Sequence, residues 1–448
     1  MSESTLWPLR STASAAGLLV LLFAAGPAVT APQQPDKPTA AVAVCQTVAG
    51  ALLQREQPDK DWRPVAPKEG IRDGALLVAL PEAQLVSANG AVQLNLLTDI
   101  GKRGPFPVLE AAVHCHRASG DADMEVSFDR GIAAFTNLKK KGAAKIRLRV
   151  QGHTGDLILN EPGTQVGMEL YGRQAAGAPE FEKNPKGDWV VKDQPIVDLF
   201  LIVRKGSAYI QAGDREWKVN APPGPAVLHW NTAVKEAEVI RLEKLPQALH
   251  VLTPEEEKLH KDVCHCAHRL ATEPIDKVLD EMLASDSELQ RRAAVVILGA
   301  LDKIPRLFEA LNDPKHADER DQAVLVLRHW VGRAPGQATK LYDMGVKLKK
   351  VTMVQAKNRL HLLYGFTEQE RKEVGTYELL LTYLQHSQVG IRELARWHLV
   401  RLVPEGKAIP FDAGASPEDR ARAVARWRAL IPEGRLPPGL APSPPDKK

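Results

Sequence analysis

Only four cysteines occur in this 448-residue chain: Cys45, Cys115, Cys264 and Cys266. So few in so long a chain exclude a disulfide framework. In an oxidising compartment Cys45 and Cys115 could pair, but isolated buried thiols are the simpler expectation. A charge excess is missing too. The 59 basic residues face 55 acidic ones, for a net charge of +4. That balance argues against nucleic acid as the main partner. Signatures of chemistry are also lacking. There is no Gly-x-Ser-x-Gly, no His-Glu-x-x-His, no Gly-x-x-x-x-Gly-Lys-Ser/Thr and no Gly-x-Gly-x-x-Gly. Their absence still leaves room for a triad assembled from distant positions.

What is present starts at the N-terminus. Arg10 precedes the apolar run Ala15–Ala25, and Gly26-Pro27-Ala28-Val29-Thr30-Ala31 supplies small residues. Charge, apolar core and small residues in that order predict a secretory signal over residues 1–31. Its rival is an uncleaved membrane anchor, because Ala13–Ala31 is just long enough to span a bilayer. Both place the bulk of the chain in the periplasm or cell envelope. A linker and lead-in are expected over 32–69, with Pro32–Ala40 the linker proper. Two domains are the default at this length.

The rhythm from Ala75 to Trp230 is β. Val92, Leu94 and Leu96 alternate with polar residues after an Asn89-Gly90 turn. Ile146, Leu148 and Val150 alternate, as do Val166, Met168 and Leu170. Glu125–Phe128 alternates as well, and Asp129-Arg130-Gly131 reads as a turn after it. Later strands are expected over 198–204, 208–212 and 216–219. Short strands with no helix between them predict an antiparallel sandwich or roll. The insert Gln174–Gln194 reads as a surface loop.

Past Thr253 the period becomes helical. Thr253-Pro254-Glu255-Glu256 and Ser416-Pro417-Glu418-Asp419 both read as helix starts. Helices are expected over 254–271, 274–284, 287–301, 304–312, 318–331, 336–349, 352–364, 374–386, 388–403 and 417–430. Four of them carry Arg-x-x-Ala followed by a large apolar residue: Arg291, Ala294 and Leu298; Arg320, Ala323 and Leu327; Arg392, Ala395 and Leu399; Arg420, Ala423 and Trp427. Recurrence at intervals of roughly 30 to 40 residues predicts an α-solenoid of the HEAT type over 253–431. The Pro-rich tail 432–448 reads as disordered.

Three clusters invite chemistry. His114-Cys115-His116, on a strand, sends the histidines to one face and the thiol to the other. His260, Cys264 and His268 share one helix face, but the outer pair is separated by about 12 Å of rise, too far for one ion. One i, i+4 pair supplies only two ligands, where zinc takes three or four. Packing and solvated histidines are therefore expected, with no metal or cofactor. Asp121-x-Asp123-x-Glu125 fails as an EF-hand loop, because Val126 and Ile132 stand where glycine and glutamate are required. Those acids and the row Lys145, Arg147, Arg149 are expected to pair across strands at about 0.2–1 kcal/mol per pair. The sharper alternative is that the basic row, with Lys139-Lys140-Lys141, binds an anionic envelope polymer. Some helical-repeat proteins grip DNA, and Arg392, Arg396, Arg401, Arg422 and Arg426 are basic here. Export would remove that substrate, so these arginines are expected to cap or brace helices.

Several β segments resemble the FecR domain of bacterial envelope regulators of sigma factors. Gly74-Ala75-Leu76-Leu77 looks like part of its opening strand, and Ser87–Leu94 like its glycine turn before an alternating strand. Arg130-Gly131-Ile132-Ala133-Ala134-Phe135 is similar to its Arg-Gly turn, and Glu161–Val166 to its Gly-Thr-x-Val turn. The resemblance implies a FecR-like β-domain, assigned here to 70–240, in the envelope. It also brings an anti-sigma signalling role as an alternative, although the chain lacks room for the family's cytoplasmic helical segment. The function expected from the sequence is non-enzymatic recognition of a protein partner. An envelope enzyme with a dispersed site between the two regions is the rival.

Overall fold

The computed structural model describes residues 40–47, 51–58, 60–99, 110–192, 194–234, 236–245, 254–347 and 352–440. The leader over 1–31, the linker up to residue 39, Thr253 and the tail beyond 440 lie outside them. Among the described residues no helix is long and apolar enough to cross a membrane.

A large sheet region comes first. Its strands are β1 (Ala43–Cys45), β2 (Ala51–Arg55), β3 (Arg63–Pro64), β4 (Gly70–Ile71), β5 (Leu76–Leu80), β6 (Ala83–Ser87) and β7 (Val92–Leu97). Next come β8 (Ala111–His116), β9 (Met124–Asn137), β10 (Ala144–Val150), β11 (His153–Leu159), β12 (Gln165–Arg173), β13 (Phe181–Lys183) and β14 (Trp189–Val191). The last are β15 (Ile196–Lys205), β16 (Ser207–Ala212), β17 (Arg215–Asn220), β18 (Gly224–Asn231) and β19 (Glu238–Leu242). Among the described residues the first strand, β1, lies inside the segment expected as lead-in.

Two runs of paired strands share β9. One runs β4-β1-β6-β7-β9-β12-β15-β18-β19 and is antiparallel throughout. The other runs β3-β2-β5-β8-β9-β10-β11-β16-β17. In it β9 and β10 are parallel, with Arg147 opposite Glu125. The sheet region is therefore mixed, against the expectation of antiparallel pairing alone.

The turn expected at Asp129-Arg130-Gly131 is not there. Strand β9 passes straight through it, pairing with β10 up to Ser127 and β8 up to Arg130, then with β12 from Gly131 and β7 from Ile132 onward. Gly131 has φ +101°, and a Cβ there would lie 2.4 Å from the Glu110 carbonyl oxygen. Glycine is needed because the strand changes partners against a neighbouring backbone.

Alternation then fills two cores. Leu85, Leu94 and Phe135 from one run meet Leu77, Val113 and Val126 from the other in one buried cluster. Leu53, Val78 and Ala112 point the opposite way and join a second cluster shared with the helices. Strands β2 and β5 are buried on both faces, which accounts for their nearly continuous apolar runs.

The helices are α1 (Pro254–Thr272), α2 (Ile275–Leu283), α3 (Glu288–Ala300), α4 (Ile304–Leu311), α5 (Ala317–Gly332), α6 (Gln337–Lys347), α7 (Met353–Tyr364), α8 (Val374–Tyr383), α9 (Val389–Leu402) and α10 (Pro417–Leu430). The end expected at 349 lies outside the described residues, and no other expected end moves by more than three residues. Ser416 accepts from the Asp419 N–H at 3.1 Å, as the cap reading required. The Arg-x-x-Ala pattern also has a structural cause. Arg291 donates to Ser285 O at 2.7 Å, Arg320 to Asp313 O at 2.8 Å and Arg392 to His386 O at 2.6 Å. Arg420 donates to Ala415 O. Each guanidinium reaches back to a carbonyl in the loop before its own helix. Ala294, Ala323 and Ala395, with Leu298, Leu327, Leu399 and Trp427, are fully buried.

Two loop expectations are corrected. The insert Gln174–Gln194 is not a free surface loop, because its β13–β14 hairpin docks on α6 and α7. Phe181 packs 5.0 Å from Tyr342, the Val191 N–H donates to Thr339 Oγ1 at 2.9 Å, and Lys357 covers Phe181 at 4.6 Å. A mixed apolar and basic hairpin reads as a loop until its partner surface is known. The start of the tail is also seated: the Gly434 N–H donates to Glu378 at 3.1 Å and Leu436 packs on the helical core.

Gly131→Ala is expected to destabilise by about 2–5 kcal/mol, adding overpacking to positive-φ strain. Gly213, at φ +61° with open space around it, is the control; Gly213→Ala should cost about 1 kcal/mol. Urea unfolding midpoints measure both, and equal losses would refute the crowding at the strand crossover.

Candidate functional site

Charge converges where the sheet region meets the helices. Arg130 leaves β9 at its crossover and donates to Glu110, just before β8, at 2.5 Å. It also donates to the Ala300 carbonyl at the end of α3, at 3.2 Å. Arg333, just past α5, donates to the Gly299 carbonyl at 3.1 Å and to Asp302. Both cations thus sit at the negative C-terminal end of α3. His329 Nε2 lies 3.4 Å from Glu110. Asp302 also accepts from Arg55 of β2 at 3.0 Å and from Trp330 at 2.9 Å.

Burial pushes the Glu110 carboxyl up, but His329, Arg130 and Arg333 outweigh it and hold it well below the usual range. Burial, reinforced by Arg130, pulls Arg333 down to about 10. Such shifts mark functional sites as well as structural ion networks. Here Glu110 is 1% exposed and Arg130 3%, so the seam is a sealed structural joint.

One concave feature, with mostly apolar walls, lies further along the sheet region. A cavity of about 300 Å³ opens between β10, β11, β16 and β17 of one run and β15 and β18 of the other. Leu148, Leu201, Ile210, Trp217, Leu228 and Trp230 line it, with His153, Thr154, Asp156 and Arg215 as polar members. Register explains the convergence: Leu201 pairs with Leu228, Leu199 with Trp230 and Ile210 with Trp217. The His153 ring meets Trp230 edge-on at 5.4 Å. These residues are scattered from 148 to 230, so no local motif announced them.

The clusters singled out in the sequence fall as follows. His114 and His116 share one face of β8, and Cys115 is buried on the other. His114 Nδ1 lies 2.9 Å from Gly74 O and His116 Nε2 2.6 Å from Ser127 Oγ. Burial and Arg149 hold His116 below its ordinary value, while burial raises the Cys115 thiol to about 12. Cys45 and Cys115 are both free thiols.

The acidic and basic rows pair with each other. Lys145 meets Asp121 and Asp156 at 2.9 Å, Arg147 meets Asp156 at 2.9 Å, Lys139 meets Asp123 at 2.6 Å, and Arg149 meets Glu125. On α1, His260 and Cys264 come together with Glu82, which precedes β6. His268 is exposed and stays outside that group. Asp313, His316 and Glu319 form another group beside α5. There burial, with Asp313 and Asp318 adding, raises Glu319 to about 7.

Compared with protein-family models, with curated proteins and with solved structures, the chain matches none.

Removing the carboxylate in Glu110→Ala leaves Arg130 and Arg333 without their shared counter-charge. A loss of about 3–5 kcal/mol is expected, read from urea midpoints at neutral pH. A loss under 1 kcal/mol would show that the seam bears no strain. Glu319 predicts a pH dependence of the opposite sense to that of a salt-bridged acid. Its folded pKa is raised, so the folded state keeps a proton that the unfolded chain releases. Stability therefore falls as pH rises from about 4.5 to about 7, by about 1–3 kcal/mol. Glu319→Gln should remove that slope and stabilise the protein at pH 8. An unchanged slope in thermal unfolding would refute the assignment.

Proposed function

We propose that this chain is an exported, non-enzymatic recognition protein of the cell envelope. In this reading a two-layered, FecR-like β region holds the binding site, and a HEAT-like helical scaffold covers one side of it. The carrying observation is the cavity between Trp217 and Trp230. At about 300 Å³ it lies at the small end of ligand pockets, which run from roughly 300 to 1,000 Å³. That volume suits one large side chain better than a cofactor. Its walls are mostly apolar, with an imidazole, a guanidinium and the Asp156 carboxylate at hand to orient a neighbouring peptide group. The occupant that fits is an aromatic or aliphatic side chain of a partner polypeptide, held as interface anchors are held.

The enzyme reading loses support at the seam. Glu110, Arg130 and Arg333 at the seam are closed to solvent, and Glu110 is counter-charge to both arginines. The basic row offers little to an anionic polymer, because its members are engaged with Asp121, Glu125 and Asp156. Envelope placement rests on the leader pattern at Arg10 and Ala15–Ala25.

The test places a photo-crosslinking residue at Ala237, on the cavity wall, in the exported full-length protein. Polypeptide adducts are expected. Leu228→Trp, which fills the cavity, should reduce them about tenfold, equivalent to 1.4 kcal/mol of binding. Adducts that persist unchanged in the filled variant, or that contain only small molecules, would overturn the reading.

A further inference from the structure

We propose that Glu82, His260 and Cys264 form a binding site for a zinc-class divalent ion, pinning α1 to the turn between β5 and β6. His260 and Cys264 are separated by four residues on α1, so they lie on one helix face one turn apart. Cys264 Sγ is 3.8 Å from the His260 ring nitrogens. Glu82 Oε2 approaches from the sheet side and lies 3.2 Å from His260 Nε2. All three donor atoms fall within 4.8 Å of one another.

Those spacings match a metal's demands. Zinc bonds of about 2.0–2.3 Å in a tetrahedron put neighbouring donor atoms about 3.3–3.6 Å apart. The imidazole–carboxylate and imidazole–thiol separations differ from that by a few tenths of an ångström. The His260 and Glu82 side chains are 26% and 33% exposed, so both retain rotameric freedom to close the remaining edge. Partial exposure also leaves a fourth position for water or an external ligand.

Donor type selects the ion. A thiolate and an imidazole beside one carboxylate suit zinc, whereas calcium and magnesium take oxygen donors. Binding needs the thiolate and a neutral imidazole, so Cys264 releases its proton to solvent as the sulfur–metal bond forms, without oxidation or reduction. A metal-free pair between His260 and Glu82 is the alternative that the experiment separates from the site. Cys266 supplies an internal control. It is 6% exposed and outside the donor group.

The experiment titrates the reduced, chelator-treated full chain with Co²⁺ as a spectroscopic probe and then with Zn²⁺. One equivalent of cobalt should give a thiolate-to-metal charge-transfer band and the intense visible bands of tetrahedral geometry, both erased by zinc. Cys264→Ser should abolish the charge-transfer band, and Cys266→Ser should keep it. Glu82→Gln should weaken cobalt binding at least about tenfold, the low end of what even outer-shell changes cost. Zinc should raise the thermal midpoint of the wild type and leave Cys264→Ser unmoved. Equal metal-free midpoints for the two proteins would show that the variant is folded. Cobalt bound without a thiolate band, as at Asp313, His316 and Glu319, would overturn the proposal. So would a band that survives Cys264→Ser, or an affinity indifferent to Glu82→Gln.

Discussion

Arg130 and Glu110 are an ion pair with almost no access to water, and the relation of strands to helices follows from that. A buried guanidinium is tolerable only with a counter-charge and with acceptors for its remaining N–H groups. Glu110 supplies the first, and the Ala300 carbonyl at the end of α3 supplies one of the second. Glu110 simultaneously faces His329 and Arg333 near the end of α5. Sliding the helices along the sheet would separate these groups and strand charge in a low-dielectric interior. The pair therefore fixes position more than it adds stability. Gly131, next in the chain, makes the arrangement feasible by letting β9 cross against the backbone of Glu110 and Ala111.

A second consequence concerns what counts as a domain. The side-chain rhythm changes near residue 250, yet the hydrophobic core does not stop there. Leu53 and Val78 lie in the same buried cluster as Leu298, Leu327 and Leu399. The Trp62 indole donates to Leu301 O at 3.1 Å, and Gly172 and Gly332 bring β12 and the end of α5 together backbone against backbone. The described residues from Ala40 onward pack as one compact unit. Stripped of its helices, the sheet would expose the outer faces of β2 and β5, and those faces are apolar. The boundary near residue 250 is a boundary of secondary structure.

That asymmetry also locates the cavity. Strands β2, β5 and β8 are covered on the outside, so the packing around them is closed. Strands β10, β11, β16 and β17 contribute to one core only. On β17, Glu216, Lys218 and Asn220 face outward, and Trp217 turns in toward the cavity beside Arg215. An opening between the two runs of strands is cheapest where no helix must follow its shape. Binding there would leave the sealed seam at Glu110 undisturbed.

Legibility in the sequence follows the range of the interactions. Helix ends are local, set by caps such as Ser416 and by stripes such as Ala294 and Leu298, and they could be read within a few residues. The Arg-x-x-Ala recurrence was legible for the same reason, since each arginine bonds a carbonyl five to seven positions upstream. Strand alternation was equally readable at Val92–Leu96 and Ile146–Val150. What escaped depends on partners far along the chain. A positive-φ glycine after two polar residues looks like a turn unless Glu110 is known to lie against it. Phe181 and Trp189 look like loop residues unless Tyr342 and Lys357 are known to receive them. Glu82 makes the point most sharply: 178 residues separate it from His260, and neither β6 nor α1 marks it as a donor. Taken alone, α1 brings only His260 and Cys264 together. Chain topology sets Glu82 beside them, and a one-dimensional motif has no term for it.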